Sequence, residues 1–464
     1  MIRKIKRKIL SGVLLLSILS VSACAEDSSK KPQESTGERV TTAEADTSPV
    51  EIPTPESGLR DLQATLEALP ETAGTLFVAE EKNGTVIVTE YRGTDSRVRV
   101  PERLAGMPVS GIAATAFSGN TELEMLFLPD GISSIEAGAL VGCTGLRALH
   151  TPIFSSDRQS GQFLGVMFGS SDYRDNARDV PPSLKLLSLG EGAEALPEYA
   201  LFDCNDLEYL ILPETVKKIG KFALYECESF LWVEGLEHVT EYGEYAFALC
   251  KSLERLPFGD GTVSMGFGML FGCSGISVLT LPFVGAGDGE HGYLAYLFGA
   301  EAPEFSKGYY PASLARVELL PSCRALENNA FYECVSLKEV VLPEGLSSIG
   351  VRAFAGCTSL WQVSLPASLR KISEMAFSGC TALRTVNFSE GLESMGIAAF
   401  SGCVSLSAIA LPESLEALPA SAFANCSSLS RVSLGGVRRI GKNAFYACFR
   451  VSEVSGREGI EEEQ

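Results

Sequence analysis

Few residue types in this 464-residue chain could do chemistry: 13 cysteines, 3 histidines, and 58 Asp+Glu set against 38 Lys+Arg. Cysteines could hold a metal, bridge or act as nucleophiles, and carboxylate pairs could hydrolyse a glycoside. His150, His238 and His291 stand in unrelated phases of the chain's spacing, so no two are set as metal ligands. Gly-x-Ser-x-Gly elbow, phosphate loop and dinucleotide fingerprint are all missing from the sequence. The carboxylates read as a solvated acidic surface, although a chance pair at glycosidase spacing would keep a carbohydrate-acting enzyme as a minor alternative. A formal charge of −20 argues against a nucleic-acid partner, because phosphates would repel it. We therefore expect a protein that is not an enzyme and takes neither cofactor nor metal.

The cysteines are instead markers of a repeat. After Cys24 they fall at Cys143, Cys204, Cys227, Cys250, Cys273, Cys334, Cys357, Cys380, Cys403, Cys426 and Cys448, with one extra at Cys323. Successive spacings are 23 or 22 residues, interrupted by two gaps of 61, and Asn120 fills the same slot one period before Cys143. A short fixed period of this length, repeated along a chain, is the signature of a leucine-rich solenoid. One unit reads Ala330-Phe331-x-x-Cys334-x-x-Leu337-x-x-Val340-x-Leu342-Pro343-x-x-Leu346-x-x-Ile349-Gly350. Val340 and Leu342 alternate at period two, as a short strand with one buried face requires. Pro343, lacking an amide donor, ends that strand, and Gly350 is expected to permit the turn that follows.

The two long gaps match each other. Gly169 to Gly299, Leu184 to Leu314 and Cys204 to Cys334 are all the same distance apart in the chain, so a unit of one long and three regular coils is used twice. The long coils, near residues 144–204 and 274–334, should carry outward insertions near 152–182 and 282–312. Tyr309 and Tyr310 are expected to be exposed on the second.

Ahead of the array, residues 1–23 have the basic start, short apolar stretch and small residues of a signal peptide. Val21-Ser22-Ala23-Cys24 resembles a bacterial lipobox, in which Cys24 would be acylated; the competing reading is a plain signal peptide cut near Ala23. Removal of residues 1–23 changes the charge from −20 to −25, so acidity belongs to the exported part. Residues 24–58, rich in Ser, Thr, Pro and Glu, read as a tether reaching on the order of 30 Å. Residues 59–97 should cap the first edge, with Leu62, Leu66 and Leu69 at helical spacing and a hairpin about Asn83-Gly84. The solenoid is assigned to residues 98–455 and a polar tail to 456–464.

The run A-F-x-x-C-x-x-L-x-x-V-x-L-P-x-x-L-x-x-I-G resembles the BspA-type leucine-rich repeat of bacterial surface proteins over roughly residues 86–455. Val98-Arg99-Val100-Pro101, Gly106-Met107-Pro108-Val109 and Ala116-Phe117 are similar to that family's opening repeat. The resemblance implies a right-handed solenoid of short parallel strands with irregular or helical-turn returns, little regular helix, placement outside the cell and binding to other surfaces. The repeat is a scaffold motif, so it carries over no contact residues.

Flanked by Phe and Leu positions, the cysteines from Cys143 to Cys448 should line the interior as free thiols, with Cys323 in an apolar leucine slot. Adjacent rungs, about 4.8 Å apart, also lie within disulfide reach. Outward residues flank each Val340-like position, and the large ones concentrate in the first half. Met125, Phe127, Leu186, Tyr209, Ile211 and Trp232 would make a partner-binding strip; the competing arrangements are insertions folded over it or a strand phase off by one. The expected function is non-enzymatic adhesion through protein–protein contacts, by an exported protein lipid-anchored to the bacterial envelope and exposed on its surface. The alternative is a passive spacer.

Overall fold

A computed structural model describes residues 57–154, 162–456 and 461–462, all within one compact unit spanning residues 45–464. The signal peptide, Cys24, most of the tether and residues 457–460 and 463–464 lie outside the described residues.

Each regular coil contributes one short strand and one two-residue strand, and both kinds pair in parallel with strands of neighbouring coils in successive runs, the first run of short strands ending at Trp232–Glu234 before another begins at Arg255–Pro257. The first ladder runs from Arg97–Arg99 through Met125–Phe127, Ala148–Thr151, Leu186–Leu189 and Tyr209–Ile211 toward Glu453–Ser455. The second includes Ala195–Leu196, Lys218–Ile219 and Glu241–Tyr242. This is the parallel leucine-rich solenoid that the period implies. Registers keep residues one period apart opposite one another, so each core position becomes a column: Leu210, Val233, Leu256 and Leu279 are all buried.

On the third side backbone bonds join coil to coil, for example Phe354 N–H to Ala376 O at 2.7 Å. Here Phe331, Phe354, Phe377 and Phe400 stack with centroids 4.9 to 5.0 Å apart and planes within 9°, a spacing set by the rung repeat of about 4.8 Å. Gly350 serves this packing and not a turn needing positive φ. A Cβ there would stand 2.5 Å from the Glu327 carbonyl carbon of the preceding coil, so the glycine is required by close backbone approach.

Residues 155–161 of the first expected insertion lie outside the described residues, and the described parts of both long coils fold partly inward. Leu164–Phe168 is a buried 3-10 turn that adds a rung of its own: Leu140 donates to Met167 O at 2.7 Å and Leu164 to Ala200 O at 2.8 Å. Leu294 and Leu297 repeat this in the second long coil, toward Ala330 O and from Leu270 N–H. Buried apolar residues pull these stretches inward. Asn176, fully buried, seals the first by accepting from Gly165 N–H at 3.0 Å and donating to Phe202 O at 2.9 Å. In the second, the Tyr310 hydroxyl donates to Tyr332 O, and Tyr309 and Tyr310 are half-buried against the Tyr293 cluster instead of being exposed.

At the leading end, the hairpin β1 (Phe77–Lys82) and β2 (Thr85–Tyr91) pairs through β2 with the parallel strand Met107–Ile112 and closes the second ladder. The helix α1 (Ser57–Glu67) does not close that edge; it lies across the strand face of the first ladder. No helix among the described residues is long and apolar enough to cross a membrane.

Candidate functional site

The strand face is where the expected binding strip falls, and α1 changes its meaning. Leu59, Leu62 and Leu66 of α1, with Leu69 after it, pack on Met125, Ala148, Leu186 and Tyr209. Met125, Leu186 and Tyr209 are buried, so they serve as the seat of a helix and are removed from the strip. Phe127, Ile211 and Trp232 remain half-buried at its rim. The strand phase is as expected, and among the described residues it is the leucines at helical spacing, not the long coils, that cover the face.

Polar contacts fix the helix at both flanks. The Arg99 guanidinium donates to the Glu67 and Leu69 carbonyls at 3.1 and 3.4 Å, satisfying groups that a helix end leaves open. It also lies 3.8 Å from the Phe127 ring centroid. At the other flank the Tyr209 hydroxyl contacts Gln63 Oε1 at 3.2 Å and donates to the Glu234 carboxylate.

Beyond Phe127 the ladder assembles a constellation that sequence spacing did not reveal. The His150 ring stacks on Phe127 at 4.0 Å, its Nδ1 lies 2.9 Å from Ser188 Oγ, and its Nε2 lies 3.3 Å from Asp130 Oδ1. Asp130 also accepts from Glu191 N–H at 3.2 Å. These are the residue types of a hydrolytic triad, but Ser188 is only 6% exposed within the ladder and Phe127 covers the imidazole. The arrangement clips neighbouring coils together. Burial, which outweighs the nearby Asp130, holds His150 below its ordinary pKa. His150 and Ser188 face each other on adjacent strands across the first long coil, at the equivalent outward positions the alternation assigns them, and it is the contact with Asp130 from the turn after the preceding strand that spacing does not show.

The open part of this face is a groove of about 490 Å³ along α1. Arg60, Gln63 and Glu67 form its helical wall, and Trp232, Glu234 and Pro257 its strand wall. Tyr209 and Trp232 give it aromatic surface, and Arg60, Glu67, Glu234 and Glu237 make its walls charged. Further along, the face turns polar, and Arg316 pairs with Glu339 across adjacent strands.

The structure places the cysteine column inside the array. Cys143, Cys204, Cys227, Cys250, Cys273, Cys334, Cys357, Cys380, Cys403 and Cys426 are buried, as is Cys323; Cys448 is half-buried, and all twelve are free. Asn120, in the same column, is half-buried. Sγ of Cys227 donates to Leu201 O at 3.0 Å, Sγ of Cys357 to Phe331 O at 3.1 Å and Sγ of Cys380 to Phe354 O at 3.1 Å. Each such thiol is a small apolar filler that satisfies a carbonyl of the preceding coil. Burial pushes Cys273 and Cys334 up to about 12, so they stay protonated. Among the described residues no group of three His, Cys, Asp or Glu side chains is placed to hold a metal.

Fold and groove together define a leucine-rich solenoid whose strand face carries a helix-flanked groove. The chain belongs to the BspA type leucine rich repeat family, whose model matches in six copies over residues 107–166, 182–284, 306–396 and 347–462. Among curated proteins, none matches the sequence. Solved structures similar to it include a leucine-rich repeat protein from Bacteroides ovatus, 19% identical, covering 83% of this chain and 97% of that one with a TM-score of 0.32. A leucine rich cell surface protein from Faecalibacterium prausnitzii is 20% identical, with coverages of 83% and 95% and a TM-score of 0.26. The pneumococcal vaccine antigen PcpA is 17% identical, with coverages of 84% and 99% and a TM-score of 0.29.

Proposed function

We propose that this chain is a non-enzymatic adhesion protein, exported, held to the bacterial envelope by lipid on Cys24 and displayed at the surface, where it binds a protein through the groove beside α1. The observation that carries the reading is that groove: Trp232 keeps part of its ring in solvent between the carboxylate of Glu234 and the polar wall of α1. Family membership supports the placement, and the acidic surface suits a protein kept soluble outside the cell. Tyr209 lines the groove beside Trp232, Met125 and Leu186 seat α1, and Phe127 and Ile211 lie on the same face outside the groove.

The test is binding of the purified protein to a panel of labelled extracellular-matrix proteins and intact cells. A central tryptophan is worth about 2 kcal/mol or more at an interface, near 30-fold in affinity. Trp232→Ala should therefore weaken binding by that factor without lowering Tm by more than a few degrees. Gln362→Ala, at the position equivalent to Trp232 in the second unit, should leave binding unchanged. Absence of binding to every surface would leave the array a spacer.

A further inference from the structure

The two units, in which Cys204 corresponds to Cys334, share a backbone, so differences between them separate what folding needs from what it does not. On the outer wall of the first unit, away from the strand face, Tyr199, Phe222 and Tyr245 stand one coil apart and stack at 5.4 and 5.3 Å with planes within 11°. The row continues into both long coils. Tyr173 stacks on Tyr199 at 4.2 Å, and Phe267 meets Tyr245 and Tyr296 edge-on at 5.8 and 5.2 Å. Phe202 and Tyr225 form a second, parallel pair at 5.2 Å.

The backbone does not ask for these rings. Tyr199, Phe222 and Tyr245 have φ of 60°, 56° and 55°, a left-handed conformation that bulky side chains disfavour. Asn329, Arg352 and Met375 build the same corner in the second unit with φ of 61°, 54° and 53°, and Ala355 stands where Tyr225 does. The strand face shows a similar asymmetry: Met125, Leu186 and Tyr209 become Arg255, Arg316 and Glu339 in the second unit, and there the seating of α1 accounts for it. On the outer wall the rings pack on one another, and Tyr199 and Tyr245 keep part of their surface in solvent.

Charge indicates what meets them. Glu198 lies beside Tyr199, Asp203 and Glu226 beside Tyr225, and Glu244 beside Tyr245. Burial first and then these carboxylates push the Tyr225 and Tyr245 hydroxyls up to about 12. Two of the chain's own cations already sit at this wall: the Arg174 guanidinium lies 5.2 Å from the Tyr173 centroid and pairs with Asp172, and the Lys221 ammonium lies 5.6 Å from that of Phe222 and pairs with Glu244, so the carboxylates here already hold cations beside the rings. We propose that this wall, between the two long coils, docks a basic peptide segment whose Arg and Lys head groups pair with the flanking carboxylates while their aliphatic stems lie along the part of Tyr199 and Tyr245 that the stack leaves in solvent.

The experiment uses the full chain and a fluorescein-labelled nona-arginine peptide at physiological salt, with nona-glutamate, dextran and mannan as comparisons. The variant Tyr199→Asn, Tyr225→Ala, Tyr245→Met takes its residues from the second unit and leaves the net charge unchanged. Saturable peptide binding weakened at least ten-fold by the variant is the expected result. Equal affinity in the variant would overturn the proposal, because a diffuse acidic surface would then account for binding; glycan binding at the wall in place of peptide would overturn it as well. Tyrosine nitration of the unaltered protein gives a readout that does not depend on the variant's folding. Bound peptide should shield Tyr199 and Tyr245, and unchanged nitration under saturating peptide would refute the site.

Discussion

Leu62→Ala combined with Leu66→Ala should release α1 from the strand face and leave the solenoid folded. Leu66 is 1% exposed and Leu62 8%, both seated in the apolar cluster with Met125, Leu186 and Tyr209. Truncating a buried leucine costs about 2 to 5 kcal/mol, so the pair removes about 4 kcal/mol or more of docking free energy. An 11-residue helix is marginal in water by itself, so once undocked it unfolds. The coils beneath hold one another through nearest-neighbour ladders and do not depend on it. Hydrogen exchange read by mass spectrometry should show protection lost over residues 57–69 and reduced over 209–211, with Tm lowered by only a few degrees. Fluorescence of Trp232, at the groove edge, should shift to the red while that of Trp361 stays fixed. Unchanged exchange over residues 57–69 would refute the docking argument, and collapse of the whole array in one early transition would refute the independence of the coils.

Three further outcomes follow from the same geometry. With reductant omitted, alkylation at pH 8 should leave the buried cysteines unmodified in the native protein and reach all twelve after denaturation, because burial holds Cys143 near 11 and Cys273 near 12; rapid native labelling of Cys273, or a denatured count below about half, would contradict the free-thiol column. Burial lowers the pKa of His150 in the folded state, so the unfolded chain takes up that proton first and stability should fall as pH drops below about 6.5; the loss between pH 7 and 5.5, measured by thermal melting, should be smaller in His150→Gln. Asn176→Ala removes two buried hydrogen bonds at once and should cost about 2 to 4 kcal/mol, with exchange rising over residues 164–179; an unchanged melting curve would show that the long coil does not rely on it.

Repetition made much of the fold readable. A column repeated once per coil forces residues of like character to face one another, and within each coil a period of two decides which point outward, so the pairs from Met125/Phe127 to Arg431/Ser433 coincide with the strands. What the period could not carry lies where the chain departs from it. Docking of α1 joins residues as distant in the chain as Leu66 and Tyr209 through ordinary apolar contacts, and helical spacing alone shows an apolar face without showing what covers it. In the clip of Asp130, His150 and Ser188 the alternation places His150 and Ser188 opposite one another, but Asp130 reaches them from a turn outside the strands, and no spacing marks that contact. The long coils read as outward loops because they reach their rungs without the alanine-phenylalanine-cysteine signature and off the regular spacing: Leu140 bonds to Met167 and Leu164 to Ala200, farther along the chain than Phe354 to Ala376. Gly350 was legible as a necessary glycine, though its reason is a neighbouring coil's backbone and so invisible in a single repeat.

Binding of the purified protein and of Trp232→Ala to the same panel of matrix proteins and intact cells tests the central claim most directly, provided exchange over residues 57–69 shows α1 docked in both. The account predicts saturable binding by the unaltered protein, weakened about 30-fold in Trp232→Ala and unchanged in Gln362→Ala. Equal binding by all three proteins, or none by any, would contradict it.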